Sequence, residues 1–164
     1  MRRMATHFPP GDHDHGACVN TLVARAELQC ASNQARLTPL RREVLTLLAA
    51  SHKAMTAYEI LQEMVMGGSR KPAPITVYRT LEFLMEQALV HRIESRNAYF
   101  VCYRQGGHVQ PVQVWICRNC GVVAETCSTQ MASLIPQLAD QIGFTPATTV
   151  VEIEGVCRVC QTQA

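Results

Sequence analysis

A chain of 164 residues has room for one medium domain or two small ones. Its formal charge of +2 is close to balance, aromatic residues make up only 5%, and no apolar run is long enough for a membrane-spanning helix. Met1–Pro10 lacks the apolar core of a secretory signal, so the expected location is the cytoplasm, where the eight cysteines stay reduced and favour metal over disulfides.

Charge is spread unevenly. From Arg36 to Arg79 seven basic residues stand against three acidic ones, a net of +4. From residue 104 onward three basic residues meet four acidic ones, a net of −1. A basic first half beside a nearly neutral second half suggests a polyanionic partner for the first, although a solvated helical surface has the same charge count.

Residues 1–17, rich in Pro, Gly, His and Asp, are expected to form a disordered tail. His7, Asp12, His13, Asp14 and His15 are weak candidate ligands there, and a solvated tail is the simpler reading. From Cys18 to about Asn33, Val19, Leu22, Val23, Ala26 and Cys30 recur at helical spacing. A second helix is predicted from Thr38-Pro39, an N-cap followed by proline at the first helical position, with Val44, Leu45, Leu47 and Leu48 as its apolar face. A third opens on the capping box Thr56-Ala57-Tyr58-Glu59 and continues through Ile60, Leu61 and Met64. Gly67–Pro72 reads as a loop.

The fourth predicted helix runs from about Pro74 to Gln87. Val77, Leu81, Leu84 and Ala88 fall on one stripe, with Thr76, Arg79, Phe83 and Glu86 on the opposite side. A hairpin follows, Leu89–Glu94 and Ala98–Cys102, around a turn at Arg96-Asn97. Helices followed by a hairpin make a winged helix-turn-helix over residues 18–103. Gly106-Gly107 breaks the pattern in a hinge at 104–111. Beyond it, Val112–Cys117, Val122–Thr126 and Thr148–Ile153 read as strands, and Ser128 to about Ile142 as a helix disturbed by Pro136. The expected fold class is therefore α+β, with a small α/β domain over residues 112–164.

Two CxxC pairs carry the strongest chemical signal: Cys117-Arg118-Asn119-Cys120 and Cys157-Arg158-Val159-Cys160. Four thiolates in two close pairs suit a closed tetrahedral Zn–S₄ site, which has no position left for substrate. Either pair alone fits a redox dithiol, but two pairs in one short chain fit metal better. The segment between them is longer than the roughly 15–20 residues of the common zinc pattern, and has room for a strand, a helix and another strand. A metal there would clamp the first and last elements of the unit.

Three features combine into a resemblance. Arg36-Leu37-Thr38-Pro39-Leu40-Arg41 resembles an R-x-T-x-x-R helix start, Thr76-Val77-Tyr78-Arg79-Thr80-Leu81 resembles a T-V-Y-R-x-L recognition helix, and both precede CxxC…CxxC. Together, from about residue 20 to 160, they resemble the ferric uptake regulator family of metal-responsive transcription factors. Iron-sensing members usually carry an H-H-x-H stretch before the first CxxC, whereas here His108 stands alone in His108–Gln113. Leu89–Ser95 and Cys102 are instead similar to the zinc uptake regulator branch. That resemblance implies a regulatory zinc held by His91, Cys102, His108 and Glu125, beside a structural zinc on Cys117, Cys120, Cys157 and Cys160, about two Zn²⁺ per subunit. A two-residue turn at Arg96-Asn97 would set His91 directly opposite Cys102, with Cβ atoms about 4.5–5.5 Å apart. Cys18, Cys30 and Cys127 are read as non-ligands, Cys30 as part of a helix core.

The resemblance also implies a homodimer formed by the C-terminal domain on a near-palindromic double-stranded DNA operator, with the zinc-loaded form repressing zinc-uptake genes. Arg79, facing away from its helix's apolar stripe, is the candidate for a guanine edge. A surface salt bridge to Glu82 is the alternative. Tyr58, Thr76 and Tyr78 are implied as base or backbone contacts, and Arg36, Arg41, Arg42 and Lys71 are candidate phosphate contacts. No membrane, small-molecule substrate or enzymatic activity is expected. A zinc hydrolase or deaminase using Glu125 as base lacks its H-x-E…P-C-x-x-C signature, since Ile116 precedes Cys117. A zinc-ribbon protein-binding module would leave the Thr76–Leu81 helix unexplained. Iron, manganese or peroxide sensing is the nearest competitor within the family.

Overall fold

The computed structural model describes residues 15–68, 72–103, 111–147 and 149–162. The chain divides between Tyr103 and Arg104 into two compact units. Among the described residues, no helix is long and apolar enough to cross a membrane. The expected tail ligands His7, Asp12, His13 and Asp14 and nearly all of the 104–111 hinge lie outside the described residues, as does the side chain of His15.

The N-terminal unit is built on four helices: α1 (His15–Ser32), α2 (Pro39–Ala49), α3 (Ala57–Met66) and α4 (Pro74–Glu86). Each buries the stripe that its sequence periodicity sets inward. Leu22, Ala26 and Cys30 of α1 meet Val44, Leu45 and Leu48 of α2, Ile60, Leu61 and Met64 of α3, and Val77, Leu81 and Leu84 of α4 in one core. Helix starts follow their local chemistry. The Thr38 side chain accepts from the Arg41 amide at the start of α2, with Pro39 at the first position. At α3, Glu59 N–H donates to Thr56 Oγ1 at 3.2 Å, and the Thr56 amide donates back to the Glu59 carboxylate at 2.6 Å.

Strands β1 (Met55–Thr56), β2 (Val90–Ile93) and β3 (Ala98–Val101) form an antiparallel sheet in the order β1-β3-β2. The two-residue β1 carries no periodic signal of its own, since two residues cannot show one. The β2–β3 connection differs from the expected two-residue turn. A 3₁₀ turn at Glu94–Arg96 is followed by Asn97 in the left-handed region at φ 47° and ψ 42°, a conformation that asparagine tolerates. The hairpin loop is thus longer, and His91 pairs with Phe100 instead of Cys102.

Ala88 also departs from expectation. It does not extend the α4 stripe, because it ends the helix at φ 51°. Leu89 N–H reaches the Leu84 carbonyl at 2.9 Å, and Ala88 N–H reaches that of Met85 at 2.8 Å, the paired bonds of a Schellman cap. Helix α1 closes in the same way through Gln34.

In the C-terminal unit, β4 (Val112–Cys117) is the central strand of a sheet ordered β5-β4-β6. It is antiparallel to β5 (Val123–Cys127) and parallel to β6 (Val151–Gly155). Val114 and Ile116 turn inward, while Trp115 on the other face is 39% exposed and donates its indole N–H to Thr126 Oγ1 at 2.7 Å. Helix α5 (Thr129–Gln141), capped by Ser128, runs through Pro136 without breaking, although proline has no amide to give the Ala132 carbonyl. It buries only Ala139 and leaves Leu134 and Leu138 exposed, followed by Ile142 and Phe144. A short α6 (Arg158–Thr162), absent from the sequence reading, follows β6, which itself begins later than expected.

Ala88 holds a backbone conformation that costs an L-residue roughly 1–2 kcal/mol, part of which glycine would give back as chain entropy. Ala88→Gly is expected to raise unfolding stability by up to about 1 kcal/mol, read as a higher denaturant midpoint at unchanged slope.

Candidate metal centres and nucleic-acid interface

The cysteine tetrad is assembled within the C-terminal unit by the parallel pairing of β4 with β6. Cys117 is the last residue of β4 and pairs with Gly155, so that Cys157 emerges beside it two residues later. The chain turns back after the first pair through Gly121 at φ 74°, and the Gly121 amide donates to the Cys117 carbonyl at 2.9 Å. Cys160 lies in α6, and the Gln161 amide returns to the Cys157 carbonyl at 3.0 Å.

All four sulfurs lie within 4.8 Å of one another, and Cys120 Sγ is 3.7 Å from Cys157 Sγ. Tetrahedral zinc with bonds of about 2.3 Å would set its sulfurs a little under 4 Å apart, so the tetrad fits that ion. Electrostatics point the same way. Burial raises the Cys117 thiol, but amides of Cys157, Cys120 and Asn119 outweigh it and bring the group down to about 6. Burial, and then the neighbouring sulfurs, push Cys160 up to about 12. A divalent cation would complete such a set by displacing the thiol protons.

The second candidate set starts at the wing of the N-terminal unit. His91 faces Phe100 across the hairpin, with ring centroids 5.3 Å apart, and the Cys102 amide donates to the Leu89 carbonyl at 2.9 Å. The register therefore differs by two residues from the expected one. A shift of two keeps every side chain on its face, whereas a shift of one would have separated the pair. His91 and Cys102 stand diagonally on the same face, with ligand atoms within 4.8 Å. Arg25 of α1 donates from its guanidinium to the Cys102 carbonyl and so anchors the end of the hairpin. No local pattern could have revealed this bond between residues 77 apart in the sequence. Glu125 belongs to the C-terminal unit, buried in β5 opposite Val114. His108 lies outside the described residues. Of the other cysteines, Cys30 is in the helical core, where burial raises its thiol pKa; Cys127 is buried at the end of β5 and Cys18 is partly exposed on α1.

The candidate nucleic-acid residues separate into two groups. Arg79 is exposed on α4, and among the described residues it forms no ion pair, with Glu82 or otherwise. Tyr58 is 65% exposed on α3, and Arg36 is exposed just before α2. Thr76 and Tyr78 are half-buried, Tyr78 against the helical core. Arg41 and Arg42, by contrast, are already engaged. The Arg41 guanidinium lies 3.3 Å over the Phe83 ring and donates to the Arg36 carbonyl at 2.6 Å, tying α2 to α4. Arg42 pairs with Glu27 of α1. Lys71 lies outside the described residues.

Residues 32–154 match the model of the ferric uptake regulator family. The chain is 37% identical over 139 residues to the zinc uptake regulation protein of Escherichia coli strain K12, covering 85% of this chain and 81% of that one. It is similar to a solved zinc uptake regulator complexed with zinc and DNA, at a TM-score of 0.82 and 36% identity over 88% of this chain and 96% of the other. The holo form of XcZur matches at a TM-score of 0.77 and 34% identity, covering 87% and 99%. The chain belongs to the ferric uptake regulator family, in its zinc uptake regulator branch.

Proposed function

We propose that this chain is a zinc-responsive repressor which, as a zinc-loaded dimer in the cytoplasm, binds near-palindromic operators and silences genes for zinc uptake. The observation that carries the reading is the likeness, over 88% of the chain, to a relative solved with zinc and DNA, in a chain that keeps Arg79 exposed on its recognition helix and brings His91 beside Cys102. The proposed activity is regulation of transcription, with no catalytic step.

In this reading Cys117, Cys120, Cys157 and Cys160 hold one structural zinc that closes the C-terminal unit. His91, Cys102, His108 and Glu125 form the regulatory set. Bound there, zinc supplies a single cross-link between imidazole, thiolate and carboxylate ligands. The chain's own residues do the rest. Cys102, held by Arg25, ends the wing at the point where the N-terminal unit gives way to the connection that follows. Restraining that end limits the orientations available to α4, and only some of these match the major grooves of a palindrome. Coupling of this kind is typically about 1–3 kcal/mol, and it is reciprocal, so operator DNA tightens zinc binding in turn. The exposed apolar side chains of Leu134, Leu138, Ile142, Phe144 and Val150 support a dimer formed by the C-terminal unit.

Two experiments test the two metal roles separately. His91→Ala and Cys102→Ser are expected to stay folded and dimeric but to lose most of the roughly 5–150-fold rise in operator affinity between low and high buffered zinc. A variant that answers zinc like its parent would place the sensing ligands elsewhere. Cys117→Ser is expected to lose the tightly held ion that survives mild chelation, together with the dimer, as read by metal analysis and size exclusion. A soluble Cys117→Ser dimer with its full metal content would refute the structural role.

A further inference from the structure

The first turn of α4 exposes a large aliphatic side chain that neither the core nor the metal sites use. Ile75, second residue of the helix, is 58% exposed, whereas Val77, Leu81 and Leu84 on the inward stripe are wholly buried. It is four residues before Arg79, so the two share one face of the helix, separated by about 6 Å of rise. Thr76 stands beside it, and Tyr58 projects from the neighbouring helix.

An isoleucine can neither bond a phosphate nor exchange hydrogen bonds with a base edge. It recognises only apolar surface. The major groove displays one such group, the C5-methyl of thymine. Resting on the DNA-binding reading above, we propose that Ile75 is a specificity-determining residue that packs on a thymine methyl within roughly one or two base pairs of the guanine read by Arg79, given about 3.4 Å per base step. The two side chains then divide the work. Arg79 selects by donated hydrogen bonds, and Ile75 by excluding water from a methyl group. Pro74, with φ fixed by its ring, starts the turn that carries Ile75 and limits how far that side chain can swing.

The test uses the zinc-loaded full chain. The parent, Ile75→Ala and Arg79→Ala each select binding sites from random duplex DNA. Each thymine of the parent's preferred site is then replaced in turn by deoxyuridine, which pairs identically but lacks the methyl. At one thymine near the guanine whose preference Arg79→Ala loses, the replacement is expected to weaken the parent about fourfold, the value of one buried methyl-sized group. Ile75→Ala is expected to bind the thymine and deoxyuridine sites equally, with an unchanged melting curve because the residue packs on no core. Equal losses for parent and Ile75→Ala, or no loss for either, overturn the inference while leaving DNA binding intact. A parent that selects no sequence at all overturns the DNA-binding reading and this inference together.

Discussion

The rotation of α4 about its own axis is the constraint on which the reading surface depends. Val77, Leu81 and Leu84 lie on one stripe, and each is fully buried against α2, α3 and β2 or the core they share. A helix held by three such contacts cannot turn without exposing them, at roughly 1.5–3 kcal/mol for each large aliphatic side chain. Fixing the inward stripe fixes the outward one. Ile75 and Arg79 are presented because their neighbours are packed, and Arg41 stacked on Phe83 adds a polar brace to the same helix. The outward stripe of α4 is thus set by the packing of its inward one.

The two candidate metal centres stand in different physical settings. The cysteine tetrad is local to one unit and depends on the register of two paired strands and two short turns, so its geometry is as rigid as the sheet beneath it. A closed site of that kind contributes folding energy directly. The His91–Cys102 pair lies at the end of the hairpin opposite its turn, where Arg25 of α1 and the Leu89 backbone hold Cys102.

Much of this architecture was legible in the sequence where local chemistry decides structure. Thr38-Pro39 and the Thr56–Glu59 capping box start their helices as read, and Val112–Cys117 is the strand its alternation predicts. The rest was not, for more than one reason. Asn97 occupies a left-handed position that glycine would have announced, so the longer hairpin loop went unseen, and Ala88, placed on the α4 stripe by spacing, instead forms the left-handed cap just past the predicted helix end. The error at Asn97 was harmless to the ligand pair only because it amounted to an even number of residues. Arg41 and Arg42 read as phosphate contacts by charge alone. Within the chain they also meet Phe83 and Glu27 of other helices, contacts that only tertiary packing could supply. In α5, Leu134 and Leu138 remain exposed, since an amphipathic pattern says that a face is sticky without saying what will cover it.

Trp115 carries a practical corollary. It is the one tryptophan in the chain, it sits two residues before Cys117 on the central strand of the C-terminal sheet, and its indole N–H is bonded to Thr126 of the adjoining strand. The helical unit contains no indole at all. Tryptophan emission therefore follows the cysteine-bearing sheet alone while far-ultraviolet dichroism is dominated by the helices, and the two optical signals can time the melting of each half in an unlabelled sample.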